Sequence, residues 1–155
     1  MPRALALLLC SCWLAAGCEP PGVRDCEDRN CLLRAENDSP VRSLDFWQDY
    51  LGKPLARRVG RIPDELLDYL YIDNKLHGYS GEPESSDDAR IMQVLQQAFK
   101  SLPAAVLQLV EGKLIGIFPV RNLGASGYIE GVKNSAGEIV GGVIVLDLLQ
   151  PGTKG

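Results

Sequence analysis

The sequence predicts an α+β domain in which N-terminal helices pack on a small, at least partly antiparallel sheet. Apolar residues first recur at helical spacing, ahead of any strand-like segment. Two runs rich in β-branched residues follow, at 114–120 and 140–146, and we expect them to be the central strands. Residues 134–137 then form a turn between strands 128–133 and 138–146, so at least this pair is antiparallel.

The composition of the chain predicts one folded domain with flanking segments. A length of 155 residues, 46% of them hydrophobic, is enough for a single domain. Residues 1–17 are expected to be a signal peptide and residues 18–42 a flexible tether that carries a small disulfide loop. The α+β domain is expected to span 43–150, and residues 151–155 to form a C-terminal tail.

The first two predicted helices have clear ends. Ser43 is a suitable N-cap for a short helix that ends at Gly52, and Trp47 on its apolar face is expected to anchor the core. The second helix begins at Pro63, which suits a first helical position, and runs to about His77. Its leucines recur at helical spacing and Tyr69, Tyr71 and Ile72 widen the apolar stripe, so two faces are expected to be covered.

A third helix is expected after Ser85 or Ser86, either of which can cap it, and Pro103 ends it. A further short helix spans 104–110 and precedes the first strand. The apolar residues of the third helix repeat every three or four positions and are expected to form its buried face: Ile91, Val94, Leu95, Ala98 and Leu102.

The charge pattern argues against a nucleic-acid partner. The net charge is −4, and a phosphate-binding surface needs clusters of Lys and Arg that this chain lacks. Its densest basic segment contains Arg57, Arg58 and Arg61. We expect these side chains to form a solvated helix face.

The N-terminus has the three parts of an export signal: a basic residue at Arg3, an apolar stretch and small residues before Cys18. The apolar stretch is shorter than the roughly 20 residues that span a membrane. The run Leu14-Ala15-Ala16-Gly17-Cys18 resembles the lipobox of bacterial lipoproteins. This resemblance implies cleavage before Cys18, diacylation of that cysteine, for example with palmitate, and attachment to a membrane through the lipid.

The number of cysteines supports lipidation. Cys10 and Cys12 would leave with the signal peptide, so Cys18, Cys26 and Cys31 would remain. Lipid on Cys18 leaves an even pair, which can form a disulfide between Cys26 and Cys31 in the oxidising periplasm. The alternative is an ordinary secretory signal cut near Gly17, which would leave three thiols.

The segment 19–40 contains Pro, Gly and many charges, which is typical of a flexible spacer. It includes the sequon Asn37-Asp38-Ser39, which accepts a glycan only in a eukaryotic secretory pathway, so the bacterial or eukaryotic origin stays open. In lipoprotein families an aspartate after the acylated cysteine retains the protein in the inner membrane. Glu19 at that position therefore favours the outer membrane of the bacterial cell envelope.

No catalytic, metal or cofactor site is predicted. His77 is the only histidine and could be a general base or a metal ligand, but at a helix C-terminus it is expected to interact with the last carbonyls. We find no nucleophile elbow, phosphate loop or Cys–His pair. Four acidic residues lack the register of a calcium loop and are expected to be solvated: Glu82, Glu84, Asp87 and Asp88.

The order of elements from Leu102 to Asp147 resembles the N-terminal half of zincin-type metallopeptidase domains. In that family a helix with the motif His-Glu-x-x-His follows the sheet and binds zinc. This chain contains no such motif, so no zinc ligand is assigned. Two hypotheses remain: a lipid-anchored, non-enzymatic module that binds an envelope component such as a protein, or a truncated or degenerate exported peptidase.

Overall fold

A computed structural model of the protein describes residues 23–148. The predicted signal peptide, Cys18 and the tail at 151–155 lie outside the described residues. The described part contains helices and a four-stranded mixed sheet, so the predicted α+β class is confirmed. Within 23–148, none of the helices has both the length and the hydropathy to span a membrane.

All five α-helices of the described residues precede the three long strands in the chain, and only the short strand β1 lies between helices. The helices are α1 (Arg29–Asn37), α2 (Gln48–Leu51), α3 (Asp64–His77), α4 (Ala89–Lys100) and α5 (Ala104–Glu111). The strands are β1 (Glu84–Ser85), β2 (Leu114–Arg121), β3 (Gly127–Lys133) and β4 (Ile139–Asp147). Short 3-10 turns lie at Val23–Asp25, Pro40–Arg42, Leu44–Trp47 and Leu55–Arg57.

The strand order in the sheet is β1-β2-β4-β3. The two β-branched runs occupy its two central positions, as predicted, and the hairpin of β3 and β4 is antiparallel. β2 pairs with β4 in parallel, because the chain passes from β2 to the edge strand β3 before it returns between them. The carboxyl ends of β2 and β4 therefore lie at the same edge of the sheet, beside the start of β3.

Each face of the sheet covers a separate apolar cluster. On one face α3 and Trp47 pack against Phe118, with the two aromatic rings stacked at 5.8 Å between centroids. Trp47 is fully buried, as predicted, and its indole Nε1–H donates to the carbonyl of Val41 at 2.6 Å. On the other face α4 and α5 pack against Ile117 and Ile144. The sheet is thus enclosed on both sides over its central strands.

Residues 29–42 differ from the flexible tether that their composition predicts. Asp28 caps α1 by accepting hydrogen bonds from the backbone N–H groups of Asn30 and Cys31. Leu32 is buried, α1 packs against α3, and Val41 is fully buried in the main core. The folded region therefore begins before Ser43, because a single helix cap and two buried aliphatic side chains outweigh a polar average composition.

Of two predicted helix starts, the structure confirms one cap and corrects the other. Ser43 is an N-cap as predicted and accepts from the N–H of Asp45, but the helix it caps is a 3-10 turn followed by the single turn of α2. The predicted cap of α4 at Ser85 or Ser86 is wrong. Ser85 pairs with Val120 in the sheet, so the helix starts later, and its cap is Asp88.

The buried face of α4 is rotated from the predicted one. Met92, Leu95 and Phe99 pack on the second apolar cluster. Val94, which was expected to be buried, is 64% exposed, and Ala98 is exposed as well. The larger flanking side chains therefore set the orientation of the helix, since they remove more apolar surface from water.

Arg58 is not part of a solvated face, which corrects the prediction for this residue. Its side chain is 5% exposed, whereas its neighbour Arg57 is exposed. The guanidinium donates to four backbone carbonyls, those of Leu51, Lys53, Glu111 and Leu114, at 2.8–3.0 Å. Arg58 thereby joins the segment before α3 to the end of α5 and the start of β2.

Candidate functional site

A cluster of polar side chains surrounds Glu130, which is 8% exposed. Tyr128 and Glu130 are two residues apart on β3, so both side chains face the sheet surface that α3 covers. Tyr69 on α3 and Tyr128 both donate to Glu130 Oε2, at 3.2 and 2.7 Å. Arg42 approaches Oε1 at 3.1 Å and completes the shell of this carboxylate.

The two phenols of this cluster stay protonated over a wide pH range. Burial raises the pKa of Tyr69 to about 12, with Glu130 nearby acting in the same direction. Burial also raises the pKa of Tyr128, and its hydrogen bonds to Tyr69 and Glu130 add to this effect. Both groups therefore serve as hydrogen-bond donors to Glu130 at neutral pH.

A cleft of about 280 Å³ lies beside this cluster, and we call it the tyrosine cleft. It is formed by the last turn of α3, the segment after it, the loop after β2 and the start of β3. The residues that line it include Asp73, Asn74, His77, Tyr79, Leu123 and Tyr128. Its lining therefore combines a carboxylate, an imidazole, two phenol rings and an aliphatic side chain.

Local sequence explains how these residues reach the cleft. Gly78 ends α3 with a left-handed backbone (φ 76°). The chain turns there, and both His77 before the turn and Tyr79 after it line the cleft. The buried Asn74 donates through Nδ2 to the carbonyl of Gly81 at 3.0 Å and holds this segment in place. Across the cleft, the N–H of Leu123 donates to Asp147 Oδ2 at 3.1 Å.

Asp73 is the carboxylate of the cleft and is largely enclosed. Its side chain is 15% exposed. Burial raises the pKa of the Asp73 carboxyl, His77 beside it lowers the pKa, and Glu36 and Glu130 raise it. His77 Nδ1 lies 3.3 Å from Asp73 Oδ1 and 2.9 Å from the Asp73 carbonyl oxygen. The expected contact of His77 with a carbonyl of the last helical turn is thus present.

A larger cleft of about 830 Å³ adjoins the tyrosine cleft and shares Ala125 with it. It lies where β2 and β4 end and is lined by polar groups such as Arg121, Ser126 and Asp147. Asn122 has a left-handed backbone there (φ 59°), which asparagine tolerates better than most residues. Clefts beyond the carboxyl ends of parallel strands are common ligand sites in open α/β sheets.

Three cysteines were predicted from the sequence to be functional or structural sites. Cys18 lies outside the described residues. Cys26 and Cys31 lie at disulfide distance, with their Cα atoms 5.4 Å apart, next to the start of α1. The acidic residues of the segment 82–88 are exposed, as expected, and Asp88 also caps α4.

Sequence reasoning missed Tyr69, Asp73, Tyr128 and Glu130. A glutamate two residues from a tyrosine and from a valine on one strand face could have indicated a buried carboxylate. The spacing of Asp73 and His77 places both on one side of a helix and could have indicated a pair. Within residues 23–148, no group of three or more His, Cys, Asp and Glu side chains is arranged to hold a metal ion.

Comparisons with protein-family models, with curated proteins and with solved structures found nothing that matches this chain.

Proposed function

We propose that this protein is a lipid-anchored cell-envelope protein and that its folded part is a non-enzymatic binding module. The observation that carries the anchor is the run Leu14–Cys18 together with the cysteine count. The disulfide distance between Cys26 and Cys31 supports it, because this pair accounts for two of the three cysteines after the predicted signal.

The distance between anchor and fold also supports this proposal. The described structure begins with the 3-10 turn at Val23, so only residues 19–22 separate it from Cys18. The five residue-to-residue steps from Cys18 to Val23 span about 18 Å at most. A lipid on Cys18 would therefore hold the module close to the membrane surface. The two adjoining clefts give this module candidate sites for an envelope component.

Metabolic labelling with palmitate tests the anchor. The parent protein should incorporate label and fractionate with membranes, whereas Cys18→Ala should do neither, because two acyl chains supply the membrane affinity. Cys12→Ala is the matched control, since this cysteine leaves with the predicted signal, and it should be labelled like the parent. Labelled, membrane-bound Cys18→Ala protein would refute the anchor.

The membrane that carries the protein is a separate part of the proposal. Glu19 after Cys18 favours the outer membrane, as in lipoprotein families where aspartate at this position causes inner-membrane retention. Separation of the two membranes on a density gradient should place the parent protein with the outer membrane. Replacement of Glu19 by Asp should shift it toward the inner membrane, and an unchanged distribution would contradict this sorting.

A further inference from the structure

We propose that the tyrosine cleft binds an organic cation, a ligand with a primary or methylated ammonium group, with Asp73 as its counter-ion. Tyr79 and Tyr128 would contact the carbon atoms around the charge. This inference rests on the proposed binding function and names the class of ligand for it. It follows from the charges, the aromatic rings and the size of the cleft.

Asp73 supplies the one carboxylate among the residues that line the cleft. The Glu130 carboxylate is already matched by Arg42 and two phenols. Among the described residues, Asp73 is paired only with His77, and the His77 ring is charged only when it is protonated. An ammonium group carries a permanent or nearly permanent charge at neutral pH and would therefore be the stronger partner for this partly desolvated carboxylate.

The two tyrosines of the cleft offer their rings to a ligand. The hydroxyl of Tyr128 is engaged by Glu130 at 2.7 Å, and its ring, which packs edge-on against Tyr69, also lines the cleft. Tyr79 is 48% exposed and is held from one side by the loop at Gly124, whose left-handed backbone (φ 81°) brings it against the Tyr79 ring. Tyrosine rings attract cations through their electron-rich faces.

Other tyrosines of this chain show the same preference within the protein. Lys53 lies over the ring of Tyr50 at 4.3 Å, and Lys75 and Arg24 lie over that of Tyr71. Among the described residues, no lysine or arginine is placed in this way over Tyr79 or Tyr128. A bound ammonium group would therefore not compete with a lysine or arginine of the described residues for these two rings.

The size and lining of the cleft limit the ligand further. A volume of about 280 Å³ accommodates a trimethylammonium group or the end of a lysine side chain. Leu123 provides an apolar wall for the methyl or methylene groups. An anion of the same size would meet Asp73, and a neutral ligand would leave the Asp73 carboxylate desolvated without compensation.

NMR titration of the full-length protein with ring-labelled tyrosine tests the proposal, with tetramethylammonium chloride as the probe. We expect saturable shifts of the Tyr79 and Tyr128 ring signals and little change at Tyr50. Sodium chloride at the same ionic strength and tert-butanol, a neutral molecule of similar shape, should not reproduce these shifts. Equal shifts with tert-butanol, or no saturable shift with tetramethylammonium, would overturn the proposal.

Substitutions in the cleft separate the contributions. Asp73→Asn should weaken tetramethylammonium binding about tenfold, because the charge is lost while the shape is kept. Asp68→Asn is the matched control on α3, outside the cleft, and should bind like the parent. At the exposed Tyr79, Phe should retain binding and Leu should weaken it. Unchanged binding in Asp73→Asn, or equal binding by Tyr79→Phe and Tyr79→Leu, would contradict the assigned roles.

The result is independent of the anchor experiment. A cleft that binds no cation leaves palmitate labelling and membrane fractionation unchanged, so it would refute the ligand class alone. If the parent protein incorporates no palmitate but still binds tetramethylammonium, only the anchor is refuted.

Discussion

At the scale of single residues, Arg58 illustrates how a buried charge is stabilised without a carboxylate. Four carbonyl oxygens surround its guanidinium, and the planar fork of arginine can donate to all of them at once. Arg57 is adjacent in sequence and chemically identical, yet it is exposed. Sequence alone could not distinguish the two, because two of the four carbonyl acceptors, those of Glu111 and Leu114, lie more than 50 residues along the chain from Arg58.

We predict that Arg58→Lys lowers the free energy of unfolding by about 2 kcal/mol or more. The ammonium has three donors at one point and would leave buried carbonyls without partners. Chemical denaturation measures the change. Arg57→Lys, the exposed neighbour, should alter stability by less than about 0.5 kcal/mol. Equal effects of the two substitutions would show that the carbonyl contacts of Arg58 contribute little.

Tyr69 gives a prediction for alkaline pH. Its pKa is about 12 in the folded protein against 10.0 for an unperturbed tyrosine, so the folded state holds this proton more tightly than the unfolded state. The stability that Tyr69 contributes is therefore complete below pH 10 and is lost as the pH rises to about 12. Denaturation curves across this range should show a falling free energy of unfolding.

Tyr69→Phe isolates this contribution. The variant should be about 1 kcal/mol less stable at neutral pH, because the hydrogen bond to Glu130 is lost. Its stability should also fall less steeply between pH 10 and 12 than that of the parent. A slope identical to the parent's would mean that another group causes the alkaline loss.

At the scale of elements, α1 shows the limit of average composition. The segment around it is polar and contains prolines, which is typical of spacers, but local signals for a helix are also present in it. Asp28 is a good N-cap, and Leu32 and Val41 are aliphatic residues that bury on the folded domain. Burial of such isolated side chains requires a surface from elsewhere in the chain, and α1 finds it on α3. The sequence of this segment does not show that surface, so the prediction of a flexible tether was wrong over residues 29–42.

We predict that Leu32→Ala lowers the free energy of unfolding by about 2 kcal/mol, since it truncates a buried side chain of α1, the helix that packs against α3. Val94→Ala on α4 is the comparison, because Val94 is 64% exposed and its truncation should cost less than about 0.5 kcal/mol. Denaturant titration of both variants measures the difference. A Leu32→Ala protein as stable as the parent would support a flexible tether instead.

At the scale of the whole molecule, the path of the chain from β2 to β3 and back to β4 places the loop after β2 next to the end of α3. The tyrosine cleft and the larger cleft beside it result from this path, since both include residues from that loop. Neither cleft could be predicted from the sequence. Leu123 and Tyr79 are 44 residues apart, and their proximity depends on the packing of α3 against the sheet.

The alternative hypothesis of a degenerate zinc peptidase makes a whole-molecule prediction. Catalytic zinc needs three protein ligands and an open position, and the Asp73–His77 pair offers two at most. We expect no stoichiometric zinc by elemental analysis of the purified protein, no peptidase activity, and only a slight loss of stability in His77→Ala. One zinc per chain that disappears in His77→Ala would favour the peptidase hypothesis over a binding module.

The sequence by itself determined the α+β class, the two central strands, the β3–β4 hairpin, the extent of α3 and the Cys26–Cys31 pairing. Each of these depends on residues close together in the chain, where periodicity, turn residues and cysteine spacing act directly. Only the tertiary structure decided the parallel pairing of β2 with β4, the burial of Arg58 and the contacts of Glu130 with Tyr69 and Arg42. These join distant segments, and which partners meet is set by how the whole chain buries its apolar surface.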